Sequence, residues 1–157
     1  MTRDTWRLRL LLICILVVTF LASALLYGIS LESAQNWPEL AHLRVPIYLV
    51  VVAGLVPVLI AIALVFEFLG VVDRGDAFSA RTVVILGRLK LLIGVFAGYT
   101  ALAFVGVWAA MRLMHPTLMF GWFAVEVAAL FLLTVTALLE RIFAAALALR
   151  EDTELTV

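Results

Sequence analysis

The sequence predicts an all-α, polytopic membrane protein: four transmembrane helices in an antiparallel bundle, with both termini cytoplasmic. Three observations predict it. First, 66% of the 157 residues are apolar and 14% are charged, against about a half and a quarter in soluble domains. A water-soluble globule of this length has no way to hide so much apolar surface. Second, residues 10–27, 45–66 and 91–111 are free of charge, and 116–139 carries only Glu126. Each run approaches or exceeds the ~20 residues needed to cross a hydrocarbon core of about 30 Å. Third, the cations are sorted. Nine (Arg3, Arg7, Arg9, Arg74, Arg81, Arg88, Lys90, Arg141, Arg150) fall on one side of the alternating spans, and Arg44 and Arg112 on the other. Basic flanks stay in the cytoplasm. The chain therefore reads as one membrane domain, 1–157, with helices over about 8–29, 45–70, 83–111 and 117–149 and a tail at 150–157.

The first helix follows Arg3, Arg7 and Arg9, and Ala22-Ser23-Ala24 resembles a signal-peptide cleavage site. The apolar run continues through Leu25-Leu26-Tyr27, which favours a retained helix. The second contains Pro57, which lacks a backbone donor and should kink the helix near mid-membrane. The third carries Gly94 and Gly98 as a GxxxG pair, extended by Ala101 and repeated by Gly106 and Ala110. Small residues let helices approach closely where lipid supplies no hydrophobic drive. The stripe fits packing inside the bundle; a homo-oligomer seam is the alternative. The fourth helix should run past Glu140 and end near Arg150. Trp37, Trp108 and Trp122 are expected at the outer interface and Trp6 at the inner one. No internal repeat of the inverted-transporter kind is present.

Composition also excludes functions. Net charge is zero, so direct nucleic-acid binding has no electrostatic support. One cysteine, Cys14, rules out an intrachain disulfide, a CxxC pair and a thiolate zinc site. The motifs of zinc proteases, serine hydrolases and nucleotide-binding loops are absent. His42 and His115 both sit toward one face, and with Glu32 and Glu39 they lack ligand spacing. No metal, cofactor or catalytic residue is expected.

Charges inside spans need a reason. Glu126 lies about two and a half turns into the fourth helix. It is read either as a proton- or cation-binding carboxylate or as an acid locked by packing. Arg112 and His115 are its candidate partners, with Tyr99 a deeper one. Glu67, Arg88, Lys90, Glu140 and Arg141 should form a layer at the cytoplasmic ends through snorkelling and ion pairing; gating or docking is the functional alternative.

Between the second and third helices stands Gly75-Asp76-Ala77-Phe78-Ser79-Ala80-Arg81, then Arg88 and Lys90. Gly75 suits a turn, Ser79 an N-cap, and Phe78 an interfacial anchor. Arg81 and Arg88, seven apart, share a face. The chain closes on Arg150-Glu151-Asp152-Thr153-Glu154-Leu155-Thr156-Val157, an acidic tail that is either disordered or able to add a strand to a partner. This loop and this tail resemble the DUF2975 family of small bacterial membrane proteins, as does the four-helix plan across nearly the whole chain. Where the family commonly has an acid–Asn pair and further basic residues, this chain has Arg81-Thr82, Val84-Ile85 and Ala144-Ala145.

The resemblance implies no established activity. It implies a neighbouring small Cro/C1-type helix-turn-helix regulator as partner. The expected function is a non-enzymatic sensor or anchor that docks or sequesters that regulator through Phe78, Ser79, Arg81, Arg88, Lys90, Arg150, Glu151 and Glu154. Packing shifts about Pro57, Gly94 and Gly98 would present or hide that surface. The alternatives are a small oligomeric proton-coupled transporter using Glu126, with Arg112 and Glu67 as further polar groups, and a structural or immunity-type protein.

Overall fold

The computed structural model describes residues 3–111 and 116–154. All regular structure among them is helical: α1 (Arg3–Asn36), a 3₁₀ turn (Pro38–Leu43), α2 (Arg44–Asp73), α3 (Ala80–Met111) and α4 (Pro116–Glu154). Each of the four α-helices is long and apolar enough to cross a bilayer. Lipid offers no hydrogen bonds, so each crossing segment must satisfy its own backbone, as an α-helix does.

The helix ends follow local chemistry. Pro38 opens the 3₁₀ turn at its first position, where a missing N–H is harmless. At the end of α2, Gly75 adopts φ 82°. Its N–H donates to Val72 O at 3.0 Å, and the Asp76 N–H to Val71 O at 3.3 Å. That pairing is the Schellman motif, and its left-handed residue favours glycine. Ser79 directly precedes α3; its carbonyl accepts from the Thr82 N–H at 3.0 Å, and its hydroxyl lies 3.5 Å from the Thr82 hydroxyl. α2 runs unbroken through Pro57, which has no N–H to offer the Ala53 carbonyl.

All four helices exceed their expected lengths, α1 and α4 by the most. α1 begins at Arg3 and reaches Asn36 as one helix through Ala22-Ser23-Ala24. α4 continues to Glu154, so the segment expected as an extended or disordered tail is helical through its first five residues. The run Ala144-Ala145-Ala146-Leu147-Ala148-Leu149 explains this, because alanine and leucine are the best helix formers.

The helices meet in chain order, α1 on α2, α2 on α3 and α3 on α4. The core lies among the last three: Leu69 and Val71 of α2, Ile85, Leu86 and Ala97 of α3, and Ala129 of α4 are all buried. By contrast, the most apolar stretch of α1 has no buried residue. Contacts near its two ends fasten α1 to α2. Arg9 pairs with Asp73 at 2.8 Å. Farther along, Tyr27 meets Tyr48 edge-on with ring centroids 5.4 Å apart.

The close approaches are not those expected from the GxxxG stripe. A Cβ on Gly98 or Gly106 would meet nothing within 4 Å, and one on Gly94 would make ordinary contact with Leu133 at 3.8 Å. The tight positions are Gly54, where a Cβ would sit 3.2 Å from the Tyr99 ring, and Gly87, where it would sit 3.1 Å from Glu140 Oε1. The Tyr99 hydroxyl donates to Val50 O at 2.6 Å, one turn from Gly54. Glycine there gives the ring its place against α2.

A substitution pair tests this. Gly54→Val should lower unfolding stability in detergent by about 1–3 kcal/mol, the usual effect of overpacking. Gly98→Ala should be neutral or slightly stabilising, since it adds helix propensity in open space. Equal losses at both positions would show that Gly98 also packs tightly.

Candidate functional site

Two places gather polar side chains: a mid-helix cluster between α3 and α4, and the end that carries the α2–α3 connection. The first is built by register. Trp122 and Glu126 are four residues apart, so they share a face of α4, and both reach Thr100 of α3. The Trp122 Nε1–H donates to the Thr100 carbonyl at 2.9 Å. Thr100 Oγ1 lies 2.7 Å from Glu126 Oε2 and 3.0 Å from the carbonyls of Phe96 and Ala97. Phe104 closes the cluster edge-on against Trp122, with centroids 5.5 Å apart.

The hydroxyl of Thr100 has one proton and three acceptors in reach, so its direction depends on Glu126. An ionised Glu126 accepts that proton. A neutral Glu126 donates its own to Thr100 Oγ1, and the threonine then donates to Phe96 O or Ala97 O. Glu126 also borders a half-open cavity of about 730 Å³, otherwise lined by apolar groups such as Phe104, Phe120 and Phe123.

Sequence reasoning placed Glu126 but not its partner. Tyr99 is committed to Val50 O on α2, so it does not serve the carboxylate. Arg112 and His115 lie outside the described residues. Thr100 was missed because a threonine inside an apolar helix looks like a residue bonded to its own backbone, as Thr19 and Thr134 are. The i, i+4 spacing of Trp122 and Glu126 was the available signal.

At the other place, the expected layer of charge resolves into separate pairs. Arg81 bonds Glu67 through Nε and Nη2 at 3.2 and 2.7 Å, Lys90 pairs with Glu140, and Arg9 with Asp73. Of these, the Arg81–Glu67 pair is the most exposed, and such a pair contributes ~0–1 kcal/mol. In the Arg9–Asp73 pair, Arg9 Nε and Asp73 Oδ1 are buried without a partner, so the contact is a single bond instead of a fork. Arg88 and Arg141 are exposed, and neither has an ion-pair partner among the described residues. Asp73 was not singled out from sequence; as the last residue of α2, it read as part of the turn.

Phe78 is half exposed, yet its ring stacks on Phe143 of α4 with centroids 5.2 Å apart and planes at 24°. Phe143 also meets Phe68 of α2 edge-on at 6.4 Å. The connection is thereby fastened to α4, roughly two turns before Arg150. Ser79, beside Phe78, is only partly covered, and Arg150 is exposed at the far end of α4. Glu151 and Glu154 lie on the α4 backbone, with side chains outside the described set; residues 155–157 also lie outside the described residues. Of the packing residues expected to act here, Gly98 is exposed, and Pro57 lies within α2.

Four apolar helices and helix-to-helix polar contacts define a small multi-pass membrane protein. Its residues 28–157 match the family described as protein of unknown function (DUF2975), and the chain belongs to that family. No curated protein and no solved structure matches it.

The Thr100–Glu126 bond gives a direct prediction. Thr100→Val removes the only described side-chain partner of Glu126 and should lower stability by about 1–3 kcal/mol, the usual effect of stranding a buried polar group. In the Glu126→Leu background the same change should have much less effect. A double-mutant cycle read by unfolding in detergent measures the coupling; zero coupling would mean that the bond contributes nothing.

Proposed function

We propose that the protein is a non-enzymatic membrane anchor or sensor, in a bacterial cytoplasmic membrane, that holds a small Cro/C1-type helix-turn-helix regulator at its arginine-rich end. In this reading the helices are antiparallel neighbours, and both termini and the α2–α3 connection face the cytoplasm. The regulator is the partner that family resemblance suggests. One observation carries the choice of surface: Phe78 of the connection stacks on Phe143 of α4. The loop and the final turns of α4 thereby form one continuous patch rather than two separate segments.

Helix length supports the same surface. The 39 residues of α4 rise about 58 Å, nearly twice the ~30 Å hydrocarbon thickness. If Pro116 marks the outer boundary, the turns after Phe143 stand clear of the membrane. Exposed Arg88 and Arg141, without ion-pair partners among the described residues, supply positive charge on α3 and α4 at the same end. A regulator bound there would be withheld from DNA, and a change in helix packing would alter its release.

A second reading rests on the cluster around Glu126. An intramembrane carboxyl group bonded across two helices, beside an apolar cavity, suits proton-coupled movement of a small apolar solute. Glu126→Gln retains a donor and acceptor but cannot ionise. Proton-coupled flux in proteoliposomes should be lost in that variant; flux equal to that of the parent would exclude Glu126 as the coupling group.

Regulator docking is tested by crosslinked affinity capture from native membranes, with the full chain and a chain ending at Leu149. The full chain should capture a helix-turn-helix protein, and the shortened chain should lose most of it while still inserting. Phe78→Ala should weaken capture in the full chain. Undiminished capture by the shortened chain, or no regulator with either bait, would overturn the proposal. Accessibility of tags at both termini to a membrane-impermeant reagent checks the orientation: both should be protected in sealed cells and reactive in inverted vesicles.

A further inference from the structure

At the end opposite the arginine-rich surface, a half-open cavity of about 340 Å³ lies where α1, the 3₁₀ turn and α2 face the ends of α3 and α4. Its walls are mostly apolar, including Leu26, Ile47, Val51 and Val107, and Arg44 is the only charged lining residue among the described residues. Its size falls at the small end of the range for ligand pockets.

Arg44 is held in place. Its Nε–H donates to Ser30 Oγ at 3.3 Å, and its guanidinium carbon lies 5.3 Å from the centroid of the Tyr27 ring. Ser30 Oγ in turn donates to Tyr27 O at 2.7 Å, and Tyr27 is braced edge-on by Tyr48. These contacts occupy one of five guanidinium N–H groups. Among the described residues no carboxylate pairs with Arg44, although the side chain is half-buried. A fixed, partly covered cation at the lip of an apolar cavity is half of a recognition pair.

Depth identifies the other half. The 30 residues of α2 rise about 45 Å, longer than the ~30 Å hydrocarbon core, so a first-turn residue such as Arg44 sits at headgroup level. The cavity beside it is half-open and bordered by membrane helices, so a lipid chain has access to it. Arginine binds phosphate through paired N–H donors, and the apolar walls suit a hydrocarbon chain.

We propose that this cavity binds one acyl chain of an anionic phospholipid, with the lipid phosphate on the Arg44 guanidinium. A zwitterionic lipid fits the walls equally but gains less from Arg44, because its own cation competes for the phosphate. The site thus selects a class of lipid by charge at the head and by volume at the chain. It shares Trp122 with the Glu126 cavity but uses none of the residues of the Phe78–Phe143 surface, so it stands or falls independently of the proposed docking.

Trp122 lines this cavity and the Glu126 cavity; it serves as the reporter, and substitutions at Arg44 and Val51, which line only this one, assign the quenching to it. A variant with Trp6, Trp37 and Trp108 changed to Phe is placed in phosphatidylcholine vesicles containing increasing dibrominated phosphatidylglycerol, whose bromines quench indole on contact. Quenching should saturate at low mole fraction, with about tenfold preference over dibrominated phosphatidylcholine, the scale of a charge-assisted contact. Arg44→Gln should bring that ratio near one, Arg44→Lys should keep part of it, and Val51→Phe should reduce quenching by both lipids. Native mass spectrometry of the same variants should show one phosphatidylglycerol retained by the parent and lost in Arg44→Gln. Quenching that rises in proportion to mole fraction and equally for both lipids means bulk contact and overturns the proposal. A preference that survives Arg44→Gln overturns the role of Arg44.

Discussion

Hydrocarbon supplies no hydrogen-bond partner, and the rest of the structure follows from that constraint. The apolar segments become α-helices because only a helix closes its own backbone bonds within one crossing. The same rule disposes of the hydroxyls: Thr19 and Thr134 return their protons to carbonyls one turn back. Where a side chain is too polar for that solution, a second helix must answer it. Glu126 and Trp122 both do so at Thr100, and the α3–α4 contact is thereby fixed in register as well as in proximity.

Packing is uneven as a result. α3 touches both α2 and α4, and the buried residues gather along those two seams. α1 has no comparable claim on its neighbours; its residues are apolar almost all round, which lipid satisfies as well as protein does. Its fixed points are the Arg9–Asp73 pair and the Tyr27, Ser30, Tyr48 and Arg44 group. A helix held chiefly near its ends leaves space between them, and the cavity beneath Arg44 lies at one such end.

The two polar ends of the molecule differ in kind. At the arginine-rich end, most described acids have found bases, and the aromatic stack of Phe78 on Phe143 joins connection to helix. At the opposite end the Arg44 guanidinium is oriented by a hydroxyl and a ring, with no carboxylate paired to it among the described residues. The first arrangement suits a surface for another protein, and the second suits an anion that arrives from the bilayer.

The number of spans, their positions and the family resemblance were legible in the sequence because each depends on local composition. A run of apolar residues meets the same solvent whatever its neighbours do. Glu126 stood out for the same reason, as a charge in the wrong medium. Its answer at Thr100 did not, because pairing depends on the rotation of two helices and on their relative height. The glycine pattern misled for that reason too: Gly94 and Gly98 have the spacing of a contact face, yet the close approaches occur at Gly54 and Gly87. Spacing states which residues share a face, and only the tertiary structure decides which face meets a partner. Helix length fell between these cases. Alanine and leucine propensity carried α4 to Glu154, but its charged end had read as a tail. Composition thus determined the solvent and the elements, while the partner of each polar or small side chain was decided by contacts across helices, a property absent from any single stretch of chain.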